Sequence, residues 1–151
     1  MFDWARFQLK KGAIKLHLQL EHLGCLPYWA LVTDGDTNDV RIAQQLTFAS
    51  SIIVTVDRGY LDHALHHRWM VTDVGFVTRP QTNMLYEIMD RRPVLTDAVI
   101  RLTGLHAADR CPIPLRLVTI GEESQQRTLT FLTNIMHLAT STIAAIYKER
   151  W

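Results

Sequence analysis

Little in this chain points to a membrane, a disulfide scaffold or a nucleotide-binding loop. No apolar run approaches the roughly 20 residues that span a bilayer, and the first residues lack the apolar core of a secretion signal. The only two cysteines, Cys25 and Cys111, lie far apart and without metal-ligand spacing, which predicts two reduced thiols in a cytoplasmic protein. Neither Gly-x-x-x-x-Gly-Lys-Ser/Thr nor Gly-x-Gly-x-x-Gly occurs, so the phosphate-cradling loops of P-loop and dinucleotide-binding enzymes are excluded. Net charge is nearly absent too. Sixteen Lys and Arg against fifteen Asp and Glu leave +1, short of the basic balance of a free-standing DNA-binding domain.

What is present reads as one globular α/β domain. The 151 residues, 48% hydrophobic and 21% charged, are enough to bury about two thirds of the unfolded surface. Ile14–Glu21 alternates strictly between apolar and polar residues, the pattern of a strand with one buried face. Residues 22–25 have the length and glycine of a turn, and Tyr28–Thr33 is aromatic and β-branched enough for an antiparallel return. Turn and cap chemistry at residues 34–38 leads into a helix expected from about Asp39 to Thr47, burying Val40, Ala43 and Leu46 or Thr47.

The most informative stretch is Ile52-Ile53-Val54-Thr55-Val56-Asp57-Arg58-Gly59-Tyr60. The continuous apolar run of Ile52–Val56 predicts a strand covered on both faces. It delivers Asp57 to its carboxyl end, where open α/β sheets gather ligands and metals; the same position also suits an Asp that merely caps the next helix. Arg58 is placed to reach a phosphate or to form a salt bridge, and the spacing does not choose between them. A helix over Tyr60–Met70 with Leu61, Ala64 and Leu65 inward, then a strand over Val74–Thr78, predicts a crossover and a parallel portion of sheet. Short apolar stretches at 84–90, 99–103, 115–120 and 129–132, punctuated by Pro and Gly, read as a β-rich insertion over residues 80–130. A closing helix from about Ser141 carries Ile143, Ile146, Tyr147 and Arg150 on one face.

Other motifs are weaker. His63, His66 and His67 fall on one side of the helix, but no Glu-x-x-His pattern and no nearby cysteine accompanies them, so a histidine-rich helix face is expected rather than zinc. Basic clusters at residues 6–15, at Arg91 and Arg92, and at Lys148 and Arg150 read on their own as solvated surface.

Taken together, the Lys11–His17 block, Val56-Asp57-Arg58-Gly59-Tyr60, Phe76-Val77-Thr78-Arg79, Leu132-Thr133-Asn134 and Ile146-Tyr147-x-x-Arg150-Trp151 resemble the DDE-type transposases of bacterial insertion sequences, of the family-four type. The resemblance implies an RNase H-like mixed sheet flanked by helices. It also implies an Asp, Asp, Glu set holding two Mg²⁺ (or Mn²⁺) ions that cut and rejoin DNA at the element's terminal repeats. By the same resemblance Asp57 is the second Asp, both catalytic residue and metal ligand, while Arg58, Tyr147 and Arg150 contact DNA. The alternative for the last two is a Tyr covering the core and an Arg solvated at a helix end.

The departures are specific. The family's first Asp lies on a strand upstream of the Lys-Gly-Ala-Ile-Lys block, and its Glu lies seven residues beyond its Tyr, which here would be position 154. The expectation is therefore a truncated catalytic domain over residues 1–151 that lacks the first core strand. That strand belongs between Ile14–Glu21 and Ile52–Val56, and Met1–Lys10 has no β-branched run to supply it. A chain of this kind is expected to be inactive alone and prone to self-association. The alternative reading is a non-catalytic α/β module that binds DNA or protein.

Overall fold

In the computed structural model, residues 13–22, 24, 26–92, 97–122 and 127–149 are described. The chain divides into two compact units, residues 1–46 and 47–151.

The first unit follows its residue pattern closely. Strand β1 (Ile14–Glu21) pairs antiparallel with β2 (Leu26–Asp34), from Ile14 opposite Asp34 to Glu21 opposite Leu26, with a bulge at Gln19/Leu20. Period-2 alternation sorts the two faces. On one face Lys15 Nζ donates to Thr37 O at 2.8 Å and to Asp39 Oδ1 at 3.1 Å, and the buried His17 ring meets Thr33 Oγ1 at 3.0 Å. On the other, Ile14, Leu16, Leu18 and Leu20 of β1 and Tyr28 and Val32 of β2 are all exposed. Helix α1 (Asp39–Ala43) is capped by Asn38, whose side chain accepts from Val40 N at 2.9 Å. It is shorter than the periodicity predicts and buries Ile42 and Ala43. Gln45 N and Leu46 N bond back to the carbonyls of Ile42 and Ala43, three residues earlier, and that tightening of the last turn ends the helix.

The second unit is a mixed six-stranded sheet flanked by helices, in the order β3-β4-β8-β7-β6-β5. Strand β3 (Ile53–Thr55) runs parallel to β4 (Gly75–Thr78), with Ile53 opposite Gly75 and Thr55 opposite Val77. Between them lie a 3₁₀ turn (Arg58–Tyr60) and α2 (His63–Val71). Strands β5 (Tyr86–Arg91), β6 (Asp97–Leu102), β7 (Leu115–Glu122) and β8 (Arg127–Thr133) are all antiparallel to their neighbours, and β8 closes on β4. The one-turn α3 (Ala107–Arg110) lies in the β6–β7 connection, and α4 (Thr140–Lys148) ends the described chain. This is the α/β mixed architecture expected of an RNase H-like sheet.

Two local expectations change. The opening hairpin was expected within the main sheet, but among the described residues β1 and β2 form a two-stranded sheet of their own. Strand β3 was expected to be covered on both faces, yet it is an edge strand with Ile52 and Ile53 more than 40% exposed. The doubly covered strand is its neighbour β4, where Phe76, Val77 and Thr78 are fully buried. The stretch expected to be β-rich, residues 80–130, lies between β4 and α4 and supplies β5 to β8 of the same sheet as β3 and β4. The expectation that Met1–Lys10 contains no core strand lies outside the described residues.

Both faces of β4 are packed because its side chains alternate. Val77 joins Val118, Leu129, Phe131, Ile135, Ile143, Ala144 and Tyr147 in a core shared with α4. Phe76 turns to α2 and stacks on His66, ring centroids 4.4 Å apart, with Trp69 at 6.2 Å. The expected helix over Tyr60–Met70 is broken at its start, since Asp62 caps α2 by accepting from Ala64 N and Leu65 N. The inward face is Leu65, His66 and Trp69, not Leu61, Ala64 and Leu65. Of the histidine-rich helix face, His66 is thus a core residue.

Candidate functional site

The candidate site lies at the carboxyl ends of β3 and β4. The parallel ladder continues past Thr55, with Val56 N donating to Val77 O at 3.2 Å, so the chain after it emerges beside Thr78 and Arg79. Asp57 stands there in extended conformation, exposed, with its carboxylate Oδ1 accepting the Arg58 amide at 2.6 Å. The 3₁₀ turn is closed by Tyr60 N on Asp57 O and Leu61 N on Arg58 O. Asp57 is therefore both a turn cap and a carboxylate presented at the sheet's carboxyl edge. The Arg58 side chain is exposed beside it.

Sequence reasoning missed two neighbours at this edge. Thr78 Oγ1 and Arg79 Nε are buried polar atoms without a hydrogen-bond partner. Such groups are rare in a settled core, and here they border the exposed carboxylate. The signal was at hand in Phe76-Val77-Thr78-Arg79, which was noted only as a marker.

Tyr147 reaches this end of the sheet through register. Thr78 pairs with Leu132, so Phe131, the preceding residue of the antiparallel β8, lies one position beyond the carboxyl end of β4. The Tyr147 ring packs on Phe131 at 5.0 Å, tilted by 49°, and is 7% exposed. At the opposite end Ile135, just before α4, lies against Gly75, where a Cβ would meet Ile135 Cδ1 at 3.2 Å. Helix α4 therefore runs from the Gly75 end toward the Asp57 end. The body of Tyr147 covers the core, and Arg150 lies outside the described residues.

Asn134 explains another marker. Its Oδ1 accepts Phe76 N at 2.8 Å and its Nδ2 donates to Val74 O at 3.0 Å, so one carboxamide completes the backbone pairing of β4 where β8 has ended. Thr133 Oγ1 adds a bond to Phe76 O at 2.6 Å. These two residues hold the strand that holds the site.

A family model for the transposase DDE domain matches residues 4–151. The chain belongs to this family. Among curated proteins, "Putative transposase y4zB" of Sinorhizobium fredii is 29% identical over 162 residues, covering 98% of this chain and 44% of that protein. "Probable transposase for insertion sequence element IS5377" of Geobacillus stearothermophilus is 26% identical over 159 residues, covering 98% of this chain and 40% of that protein. The chain thus spans less than half the length of these relatives. No solved structure matches it.

For a DDE domain the donor set at this edge is thin. A two-ion Mg²⁺ clamp needs several hard oxygen ligands shared between cations, and among the described residues no three His, Cys, Asp or Glu side chains gather to hold a metal. Asp62, the next acid along, has its carboxylate committed to the cap of α2. The described residues do not fit the two-ion group. No helix among them is long and apolar enough to cross a membrane.

Proposed function

We propose that this DDE domain is part of a transposase that cuts and joins DNA at insertion-sequence ends by metal-assisted phosphoryl transfer, and that the chain alone lacks the cleavage activity. Asp57 is the domain's contribution to the catalytic carboxylates. Arg58 beside it contacts the DNA backbone, and Tyr147 of α4 and Arg150 are the further DNA-contacting residues that the family resemblance supplies.

The observation that carries this reading is the exposed Asp57 carboxylate at the carboxyl end of β3, beside Arg79, on the edge toward which α4 runs. Exposure leaves the carboxylate open to solvent and to an incoming metal-bound phosphate. One carboxylate cannot bridge two cations, so positioning and charge stabilisation of the reacting phosphate remain incomplete.

The test is incubation of the chain with duplex DNA carrying insertion-sequence terminal repeats, in Mg²⁺ and in Mn²⁺. Binding without strand cleavage is expected. Cleavage that disappears in Asp57→Ala would show a complete active site and overturn the assignment of inactivity. Absence of DNA binding would leave the family's scaffold without its nucleic-acid role and favour a protein-binding module.

A further inference from the structure

A concave site lies in the same unit, outside the residues assigned above. It is a cleft of about 190 Å³ between the start of α2, the loop that follows β4 and the loop before α3. Its polar lining is His63, His106, Arg110, Gln81 and Asn83, with Leu85 and Leu105 as apolar walls, and no carboxylate is among the lining residues. We infer that this cleft is a binding site for a single phosphate group, supplied by the backbone of bound DNA.

The donor chemistry points to an oxyanion. A guanidinium offers five N–H donors and no acceptor, each imidazole offers at least one N–H, and each carboxamide offers two. Among the described residues Arg110 makes no salt bridge, and its charge acts on His63 across the cleft, as does that of Asp62. His63 Nδ1 is buried and has no partner. His106 is held in the left-handed region at φ 62°, with no side-chain bond to cap the short helix after it. A non-glycine residue there is strained by about 1–3 kcal/mol, and such strain concentrates at ligand clamps.

Size separates a phosphate from larger ligands. Pockets for drug-sized molecules occupy roughly 300–1,000 Å³, and one water takes about 30 Å³. The cleft lies between, large enough for a phosphate with a few waters and too small for a whole nucleotide. The lining comes from three connections: His63 opens α2, Gln81 and Asn83 follow β4, and His106 and Arg110 follow β6.

The choice of DNA rests on the proposed function, whereas the phosphate chemistry of the cleft does not, and the experiment has an arm for each. First, inorganic phosphate is titrated into the full chain while histidine imidazole signals are followed by NMR. Saturable shifts of His63 and His106, absent at His17 and His137 and lost in Arg110→Gln, are expected. Uniform shifts at every histidine, or none, overturn the site. Second, duplex DNA affinity is measured across a salt series. Arg110→Gln is expected to lower the slope of log K against log salt by about one, the contribution of one neutralised phosphate, with Arg110→Lys restoring it. An unchanged slope beside a positive phosphate titration overturns DNA as the source. Loss of DNA binding by the unaltered chain counts against the proposed function and leaves the first arm to decide the cleft.

Discussion

The Arg116 guanidinium lies fork-to-fork on the Asp97 carboxylate, Nε to Oδ1 at 2.8 Å and Nη2 to Oδ2 at 2.7 Å, with both residues buried. The remaining nitrogen, Nη1, donates to Ile135 O at 3.0 Å and to Leu138 O at 2.6 Å. One cation thus ties β6 and β7 to the loop that launches α4. Arg116→Ala would strand a buried carboxylate and two carbonyls, and the expected loss is about 3–5 kcal/mol. Replacing both partners, Arg116→Met with Asp97→Leu, should recover most of it. Urea denaturation of the three proteins checks this, and equal stability of Arg116→Ala and the unaltered chain would refute the clamp.

Asn134→Ala removes both bonds that its carboxamide makes to β4, leaving Phe76 N–H and Val74 C=O in a covered setting. At about 1–3 kcal/mol for each buried group left unmade, a loss of roughly 2–4 kcal/mol is expected. Asn134→Asp keeps the acceptor but loses the donor, and should fall between. Faster amide exchange at Phe76 in the Ala variant is the direct readout.

Acid should weaken the fold through His66. Burial, reinforced by neighbouring His63 and opposed by Asp62, pushes its pKa down to about 3. The unfolded chain binds that proton near pH 6.5, the folded chain only near 3. The contribution is therefore whole above about pH 6.5 and falls as pH drops toward 3, by up to about 1.4 kcal/mol per unit. His63, its pKa lowered by burial against the pull of Asp62, adds in the same direction. His66→Leu is expected to flatten the loss between pH 6.5 and 4.5 by about 2 kcal/mol. Identical pH profiles for the two proteins would count against it.

Asp57→Ala should change stability by no more than about 1 kcal/mol, the usual scale of an exposed cap. A thermal midpoint close to that of the unaltered chain is the expected control, so any effect on DNA in this variant reports chemistry at the site and not unfolding. A large drop in midpoint would make the residue structural.

Among the described residues the outer edge of β3 and the free edge of β1 carry no ladder partner. Open edges beside exposed apolar side chains template association, so the chain is expected to be poorly soluble or to self-associate. Light scattering across a dilution series checks this, and a monomer with one cooperative transition would refute it.

Legibility followed the range of the interactions. Period-2 alternation placed β1 to the residue, and the short apolar runs located β5 to β8, because local pattern carries those elements. Which strand would be doubly covered was not legible. Ile52–Val56 is more apolar than Gly75–Thr78, yet β4 sits inside and β3 at the edge, since strand order depends on pairing with β8 far along the chain. The burial of His66 was hidden for a similar reason, as only Phe76 on the facing strand makes room for the ring. Asp57 was legible because strand, acid and glycine turn are contiguous. The Arg110 cleft was not, since its residues come from three separate connections.

The self-contained β1–β2 hairpin also bears on the order of assembly. Its partners are near neighbours in sequence, and hairpins of this kind close in about 1–10 μs. The contact that secures β4, from Thr133 to Phe76, must wait for residues 57 positions apart to meet, and such distant closures are slow. During that interval the leucine face of the hairpin is already formed and uncovered. On a ribosome the delay lengthens further, because β8 is synthesised long after β2. That leucine face is exposed in the folded structure as well, so a chaperone that engages apolar strands meets it from the moment the hairpin closes.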